Sequence, residues 1–170
     1  WFHTPHPPVV AGPDYLNMYS SHPENFAHYY GCVTAMDAQV GRLREVLANQ
    51  GIDEDTMLWF SSDNGPEGRT AGDTTQRQFV RSCGSTGGLR GRKRSLFNGG
   101  ICVPATLCWP RMIGAGRVVT DTCSTLDYFP TVAEALGFAM PDDRPIDGPS
   151  LLPIVRGEKL DREQPIPFRF

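Results

Sequence analysis

Three side chains of this sequence are of types that could do chemistry where they stand: His6, Asp63 and Asn64. Asp63 and Asn64 close the stretch Thr56-Met57-Leu58-Trp59-Phe60-Ser61-Ser62-Asp63-Asn64-Gly65-Pro66-Glu67, which runs from β-favouring apolar residues into polar turn residues. This reads as a strand delivering a carboxylate and an amide carbonyl onto a tight turn. Such oxygens are the hard donors that a calcium ion collects, roughly six to eight at about 2.3–2.6 Å, so two of them make only a fraction of a shell. Ser-Asp-Asn-Gly is equally good turn chemistry in its own right, because Asp and Asn bond their own backbone and Gly accepts positive φ.

His6 lies in Trp1-Phe2-His3-Thr4-Pro5-His6-Pro7-Pro8-Val9-Val10, where Pro5, Pro7 and Pro8 forbid a helix. The prediction is an extended loop stiff enough to hold an imidazole in one direction, as a ligand or a general acid requires; the plain alternative is a surface His-Pro turn. Lys93 stands in the basic cluster Arg90, Arg92, Lys93, Arg94. The cluster is local and needs a local explanation, and Arg92 and Arg94 read as solvated or rim charges.

The elements that must position these groups alternate in type. Tyr29, Val33, Met36, Val40, Leu43 and Leu47 recur at steps of three and four, predicting an amphipathic helix from about Asn25 that ends before Gly51. A short loop then leads into the Thr56 strand. Residues 68–88 read as a long polar excursion, and a P-loop is excluded because no Lys-Ser/Thr follows its glycines. Ile101–Pro110 reads as a second, Pro-interrupted β run, and Val118-Val119-Thr120 as a short strand or extended connection. Ser124 or Thr125 is positioned to cap a helix bearing Leu126, Phe129, Val132, Ala133 and Leu136 on one side, with Gly137 at its end and Pro130 near its first turn. No internal repeat is present.

At 170 residues with 39% hydrophobic residues the chain has the bulk for a core, and its net charge of −3 gives no field for nucleic acid. No run approaches the roughly 20 apolar residues of a membrane span. Five cysteines without a C-x-x-C pair read as structural thiols rather than a zinc cluster or a disulfide framework.

In order, Phe2-His3-Thr4-Pro5-His6-Pro7-Pro8, Ser61–Glu67, Lys93 six residues before Gly99-Gly100 with Val103-Pro104 beyond, Thr125-Leu126-Asp127-Tyr128-Phe129-Pro130-Thr131, and Asp147-Gly148-Pro149-Ser150-Leu151-Leu152-Pro153 resemble the C-terminal half of a type I sulfatase. The resemblance covers nearly the whole chain. It implies an α/β fold, part of an alkaline-phosphatase-like sulfatase sheet with flanking helices, truncated at the N-terminal side. Residues 1–140 would be the later portion of the catalytic domain and 141–170 the start of a C-terminal subdomain or tail.

The same resemblance implies roles. Asp63 and Asn64 would supply two calcium ligands, His6 would contact the ester and protonate the leaving oxygen, and Lys93 would bind the sulfate group. Glu67 and His3 receive no catalytic role. The family nucleophile, a formylglycine made in a Cys/Ser-x-Pro-x-Arg sequence, is not found. Cys102-Val103-Pro104-Ala105-Thr106 has Thr106 in place of the Arg, and Asn98 stands where many relatives carry an acidic residue. The implied function is hydrolysis of a sulfate monoester, small or glycan-borne, by the whole enzyme, with the isolated chain inactive and a large apolar face left exposed. The alternatives are a phosphoesterase of the same superfamily, which would commonly carry Asp-His where Asp63-Asn64 stands, or a silent binding domain. The resemblance leaves the compartment and the oligomeric state open, a periplasmic, secreted or lysosomal-type location being compatible with it.

Overall fold

In the computed structural model, residues 3–68, 81–139 and 145–168 are described. Their elements are α1 (Pro13–Asn17), α2 (Glu24–Asn49), β1 (Leu58–Ser61), α3 (Asn98–Ile101), β2 (Ala105–Cys108), a 3-10 turn (Thr125–Asp127), α4 (Tyr128–Ala135) and α5 (Leu152–Arg156). The chain divides into two compact units, one built mainly from Trp1–Asp53 and Leu58–Leu107, the other from Glu54–Met57 and Cys108–Arg169. Among the described residues no helix is long and apolar enough to cross a membrane. Most of the polar excursion predicted over 68–88 lies outside the described residues.

In the first unit the predicted long helix is α2. Pro23 precedes it, and Glu24 in its first turn faces the positive end of the helix dipole. At its far end the Gly51 amide donates to Ala48 O at 2.9 Å and the Ile52 amide to Leu47 O at 3.1 Å, a Schellman closure. That closure requires the left-handed φ of 67° that Gly51 adopts. The 3–11 loop and α1 lie against α2, with Val9, Ala11 and Cys32 buried together and Tyr15, Leu16 and Tyr29 packed around them. Gly31 permits this approach, since a Cβ there would come within 2.7 Å of Ala11 Cβ. The buried His28 ring accepts the Ala11 amide on Nδ1 at 3.1 Å, which holds the loop to the helix.

The strand predicted from Thr56 is shorter, Leu58–Ser61, and pairs with Ala105–Cys108 in a two-stranded sheet. The second β run begins later than expected: Asn98–Ile101 forms a helical turn, and pairing starts only after Pro104, which has no amide to offer a ladder.

In the second unit Ser124 is the cap. Its Oγ accepts the Leu126 amide at 3.3 Å, and the Asp127 carboxylate accepts the Ser124 amide at 2.6 Å. The α-helix proper starts at Tyr128, two residues before Pro130, so the proline falls in the first turn, where its missing N–H costs nothing. Asp127 is 0% exposed and also accepts from Arg162 Nη2 at 2.5 Å. Thr131, equally buried, donates to Asp127 O at 2.6 Å and accepts the Leu151 amide at 2.8 Å. Gly148 lies directly on this turn, since a Cβ there would sit 2.5 Å from Leu126 O and 2.6 Å from Asp127 Oδ1. The Thr125–Thr131 and Asp147–Pro153 motifs are thus two halves of one buried clasp.

Three expectations meet the structure here. Val118–Thr120 forms no strand, and Val118 is 85% exposed. Of the stripe expected on one side of α4, Ala133 is buried but Phe129 and Leu136 are 63% and 64% exposed, and Pro130 and Thr131, outside the stripe, are buried. Exposed apolar surface, anticipated from the resemblance, is present in each unit: Leu43, Val46 and Phe60 are open in the first, Phe129 and Leu136 in the second.

Candidate active site

The turn after β1 is built by its own side chains. Ser62 Oγ donates to Asn64 O at 2.8 Å, and Asn64 Nδ2 donates to Gly65 O at 3.0 Å. With its amino group committed, Asn64 presents Oδ1 as the open donor. The exposed Asp63 carboxylate has no hydrogen-bond or ion-pair partner among the described residues. The pair therefore fits a hard cation in donor type and supplies two oxygens toward its shell. Among the described residues no cluster of three or more His, Cys, Asp or Glu is assembled, so these two oxygens would need ligands from elsewhere to complete it.

The turn is clasped by the segment that carries Lys93. The Gly65 amide donates to Gly100 O at 2.8 Å, and the Lys93 amide donates to Pro66 O at 3.2 Å. Backbone meets backbone so closely that a Cβ on Gly65 would lie 1.9 Å from Gly99 O, and one on Gly99 would lie 2.2 Å from Gly91 O. Gly65 is what allows the two segments to touch, and Gly99 and Gly100 allow the 90–100 segment to fold tightly on itself.

Side chains complete the clasp. The Glu67 carboxylate, with its side chain only 8% exposed, lies 4.0 Å from Lys93 Nζ and accepts Arg94 Nη1 on both oxygens at 2.6 Å. Arg92 is not the solvated or rim charge expected. It is half-buried, and its Nη2 donates to Glu67 O at 3.1 Å and to Gly84 O at 2.5 Å, fixing the 84 and 67 backbones together. Arg90 lies over the Phe97 ring, 3.6 Å from its centroid. Glu67 is the residue that sequence reasoning left without a role, because a carboxylate beside Gly-Pro signals only a turn until its cationic partners are seen.

His6 stands on the separate Pro-rich loop. Its Nδ1–H donates to Pro7 O at 2.8 Å, and the His6 amide donates to His3 O at 2.7 Å. This places the ring proton on Nδ1 and leaves Nε2 at the exposed edge. The structure brings Asp63, Asn64 and Lys93 into one clasp, whereas among the described residues no hydrogen bond or ion pair ties His6 to any of them.

Comparison with known proteins decides the family. The sulfatase family model matches residues 1–138.

The chain belongs to the sulfatase family.

It is 37% identical to the steryl-sulfatase of Mus musculus over 142 residues, which are 84% of this chain and 22% of that protein. It is 34% identical to the N-acetylgalactosamine-6-sulfatase of Mus musculus over 158 residues, 92% of this chain and 28% of that protein. Among solved structures it superposes on Ps i-CgsB, determined in complex with k-i-k-neocarrahexaose, with a TM-score of 0.79 and 27% identity, over 91% of this chain and 32% of that one. The chain thus spans about a quarter of the length of the curated sulfatases it matches. Its fold is the alkaline-phosphatase-like α/β fold of these neighbours. The sulfatase family is one of sulfuric ester hydrolases, in general metal-dependent and formylglycine-bearing.

Proposed function

We propose that the protein containing this chain hydrolyses sulfate monoesters, with Lys93 and His6 acting on the ester and Asp63 and Asn64 holding a calcium ion. The observation that carries this reading is the clasp itself: in a sulfatase-family chain, the Lys93 amide is bonded to Pro66 O at 3.2 Å, two residues beyond Asn64. The backbone that carries the Lys93 ammonium is thereby tied to the turn that carries Asp63 and Asn64, which supports a shared role toward a sulfate group.

The chain's own residues would act as follows. The Lys93 ammonium holds a non-bridging sulfate oxygen and offsets negative charge there. Glu67 Oε2, 4.0 Å from Nζ, restrains that ammonium. Cleavage breaks the bond between sulfur and the ester oxygen, and the oxygen leaves with both electrons of that bond. His6 in its doubly protonated form transfers the Nε2 proton to this oxygen, giving a neutral alcohol. A calcium ion held by Asp63 and Asn64 would supply electrostatic stabilisation of the sulfate oxygens, and the attacking oxygen would come from a formylglycine that this chain does not carry. Residues 1–140 belong to the catalytic domain in this reading and 141–170 to a C-terminal subdomain or tail.

The substrates are small sulfate esters or sulfated glycans, a range supported by the names of the two curated relatives. The test is turnover of 4-nitrophenyl sulfate by the full-length protein, with and without Lys93→Ala and His6→Ala. Each substitution is expected to lower kcat/KM by about 100-fold or more. Unchanged turnover in both variants, or a phosphate ester turned over faster than the sulfate ester, would overturn the proposal.

A further inference from the structure

The loop that carries His6 is fastened to α2 by polar side chains that the proposed chemistry does not use. Glu24, His28 and Cys32 follow one another at steps of four along α2 and so share one face of that helix. Val9, 3% exposed, packs with Ala11 against Cys32, and its carbonyl accepts Arg81 Nη1 at 3.4 Å. Two residues on, the Ala11 amide donates to His28 Nδ1 at 3.1 Å. The loop is thus held at a carbonyl and at an amide, by a different side chain at each.

The two side chains that hold it are themselves held. Arg81 Nη2 donates to Glu24 Oε1 at 2.6 Å, and His28 Nε2 lies 3.8 Å from the same oxygen. Because Nδ1 accepts an N–H, the ring proton of His28 is on Nε2, the nitrogen turned toward Glu24. Glu24 in the first turn of α2 therefore serves both anchors.

Between these anchors and His6 the backbone has little slack. Pro7 and Pro8 have φ fixed by their rings. The His6 ring is bonded through Nδ1–H to Pro7 O at 2.8 Å, and the His6 amide to His3 O at 2.7 Å. Holding Val9 and Ala11 in place thus limits where the Nε2 edge of His6 points.

We infer, resting on the role proposed for His6, that His28 and Arg81 are positioning residues for it: by holding the Ala11 amide and the Val9 carbonyl they keep the imidazole where it can protonate a leaving oxygen. General acid catalysis depends on a donor held within hydrogen-bond reach of the oxygen it protonates, so a loop released at Ala11 loses rate before it loses substrate binding, which falls to Lys93. Substitution separates this role from simple packing. Leu in place of His28 keeps an apolar bulk but leaves the buried Ala11 amide without an acceptor, whereas Asn puts a carbonyl oxygen near the position of Nδ1.

The test is a double-mutant cycle with His6 in the full-length protein, read by turnover of 4-nitrophenyl sulfate. His28→Leu is expected to lower kcat about tenfold with KM within about twofold, and His28→Asn to stay within about threefold of the unsubstituted protein. In the His6→Ala background, His28→Leu is expected to change kcat by less than about twofold, since a group already removed cannot be misplaced. Arg81→Met repeats the cycle at the Val9 carbonyl with an expected loss of about threefold, and decides alone if His28→Leu does not fold. The same loss with and without the His6 imidazole, or no loss from either substitution, overturns the positioning role. If His6→Ala itself keeps full turnover, the role proposed for His6 fails on its own account. Hydrogen exchange then decides the fastening: faster exchange of the His6 amide in His28→Leu, reversed in His28→Asn, supports it, and unchanged exchange overturns it.

Discussion

The Glu67 carboxylate faces Lys93 Nζ at 4.0 Å, from a side chain only 8% exposed against 20% for the lysine. A carboxylate that water scarcely reaches exerts a stronger hold on its cations than a surface pair does, and Glu67 shares its charge between Lys93 and Arg94. On the proposed reading Glu67 is a positioning residue for the ammonium that binds sulfate. Glu67→Gln is expected to raise KM for a sulfate ester by about threefold to tenfold, because the neutral amide no longer restrains Lys93. Glu67→Asp should restore some of the effect, and steady-state kinetics of both variants checks it. Unchanged KM in Glu67→Gln would remove Glu67 from this role.

Gly65 makes the clasp possible by having no side chain. With a Cβ on Gly65 1.9 Å from Gly99 O, Gly65→Ala cannot be accommodated by a rotamer change and must push the facing backbones apart. The expected outcome is loss of stability of about 3 kcal/mol or more, in the range of severe overpacking. Chemical denaturation of Gly65→Ala checks it. Gly114→Ala is the control, since a Cβ there meets nothing within 4 Å.

In the second unit, Arg162→Leu would leave the Asp127 carboxylate, 0% exposed, without its ionic partner. Removing one member of a buried pair costs about 3–5 kcal/mol. At about 2–4 °C per kcal/mol for a chain of this size, Tm is expected to fall by about 10 °C. Differential scanning calorimetry reads this directly, and a Tm within about 2 °C of the unsubstituted protein would show that Asp127 needs no charge partner.

Much of this arrangement was legible in the sequence. The apolar repeat and Gly51 marked α2 and its end, Ser124 marked the cap, and the break from Phe60 to Ser-Ser-Asp-Asn marked a strand ending in a turn. What was not legible depends on partners distant in sequence. Val118-Val119-Thr120 has β-favouring residues but pairs with no strand among the described residues, and β propensity without a partner does not make a strand. Arg92 looks like its neighbours in a basic run, and only the fold shows that it is turned onto the Glu67 and Gly84 carbonyls. The α4 stripe has the right period, yet its buried side is chosen by the Asp127 and Thr131 bonds rather than by its largest apolar residues.

The thiols give a prediction independent of catalysis. Burial pushes the Cys32 thiol up, so the thiolate needed for alkylation is scarcer at neutral pH than for an ordinary cysteine. Cys102 is exposed. With iodoacetamide at neutral pH, Cys102 should be labelled at least about tenfold faster than Cys32, and raising the pH should increase Cys32 labelling across a higher range than for a free thiol. Peptide mapping by mass spectrometry follows both sites, and faster labelling at Cys32 would contradict its packing against Val9 and Ala11.

On the proposed reading, the turn bearing Asp63 and Asn64 and the ammonium of Lys93 form one sulfate-binding site. The most direct measurement is calorimetric titration of inorganic sulfate into the full-length protein, with and without calcium, in the unsubstituted form and in Asp63→Ala and Lys93→Ala. The account predicts that calcium strengthens sulfate binding, that Asp63→Ala abolishes this strengthening, and that Lys93→Ala weakens sulfate binding by at least about tenfold. Sulfate affinity indifferent to calcium and unaltered in both variants would contradict it.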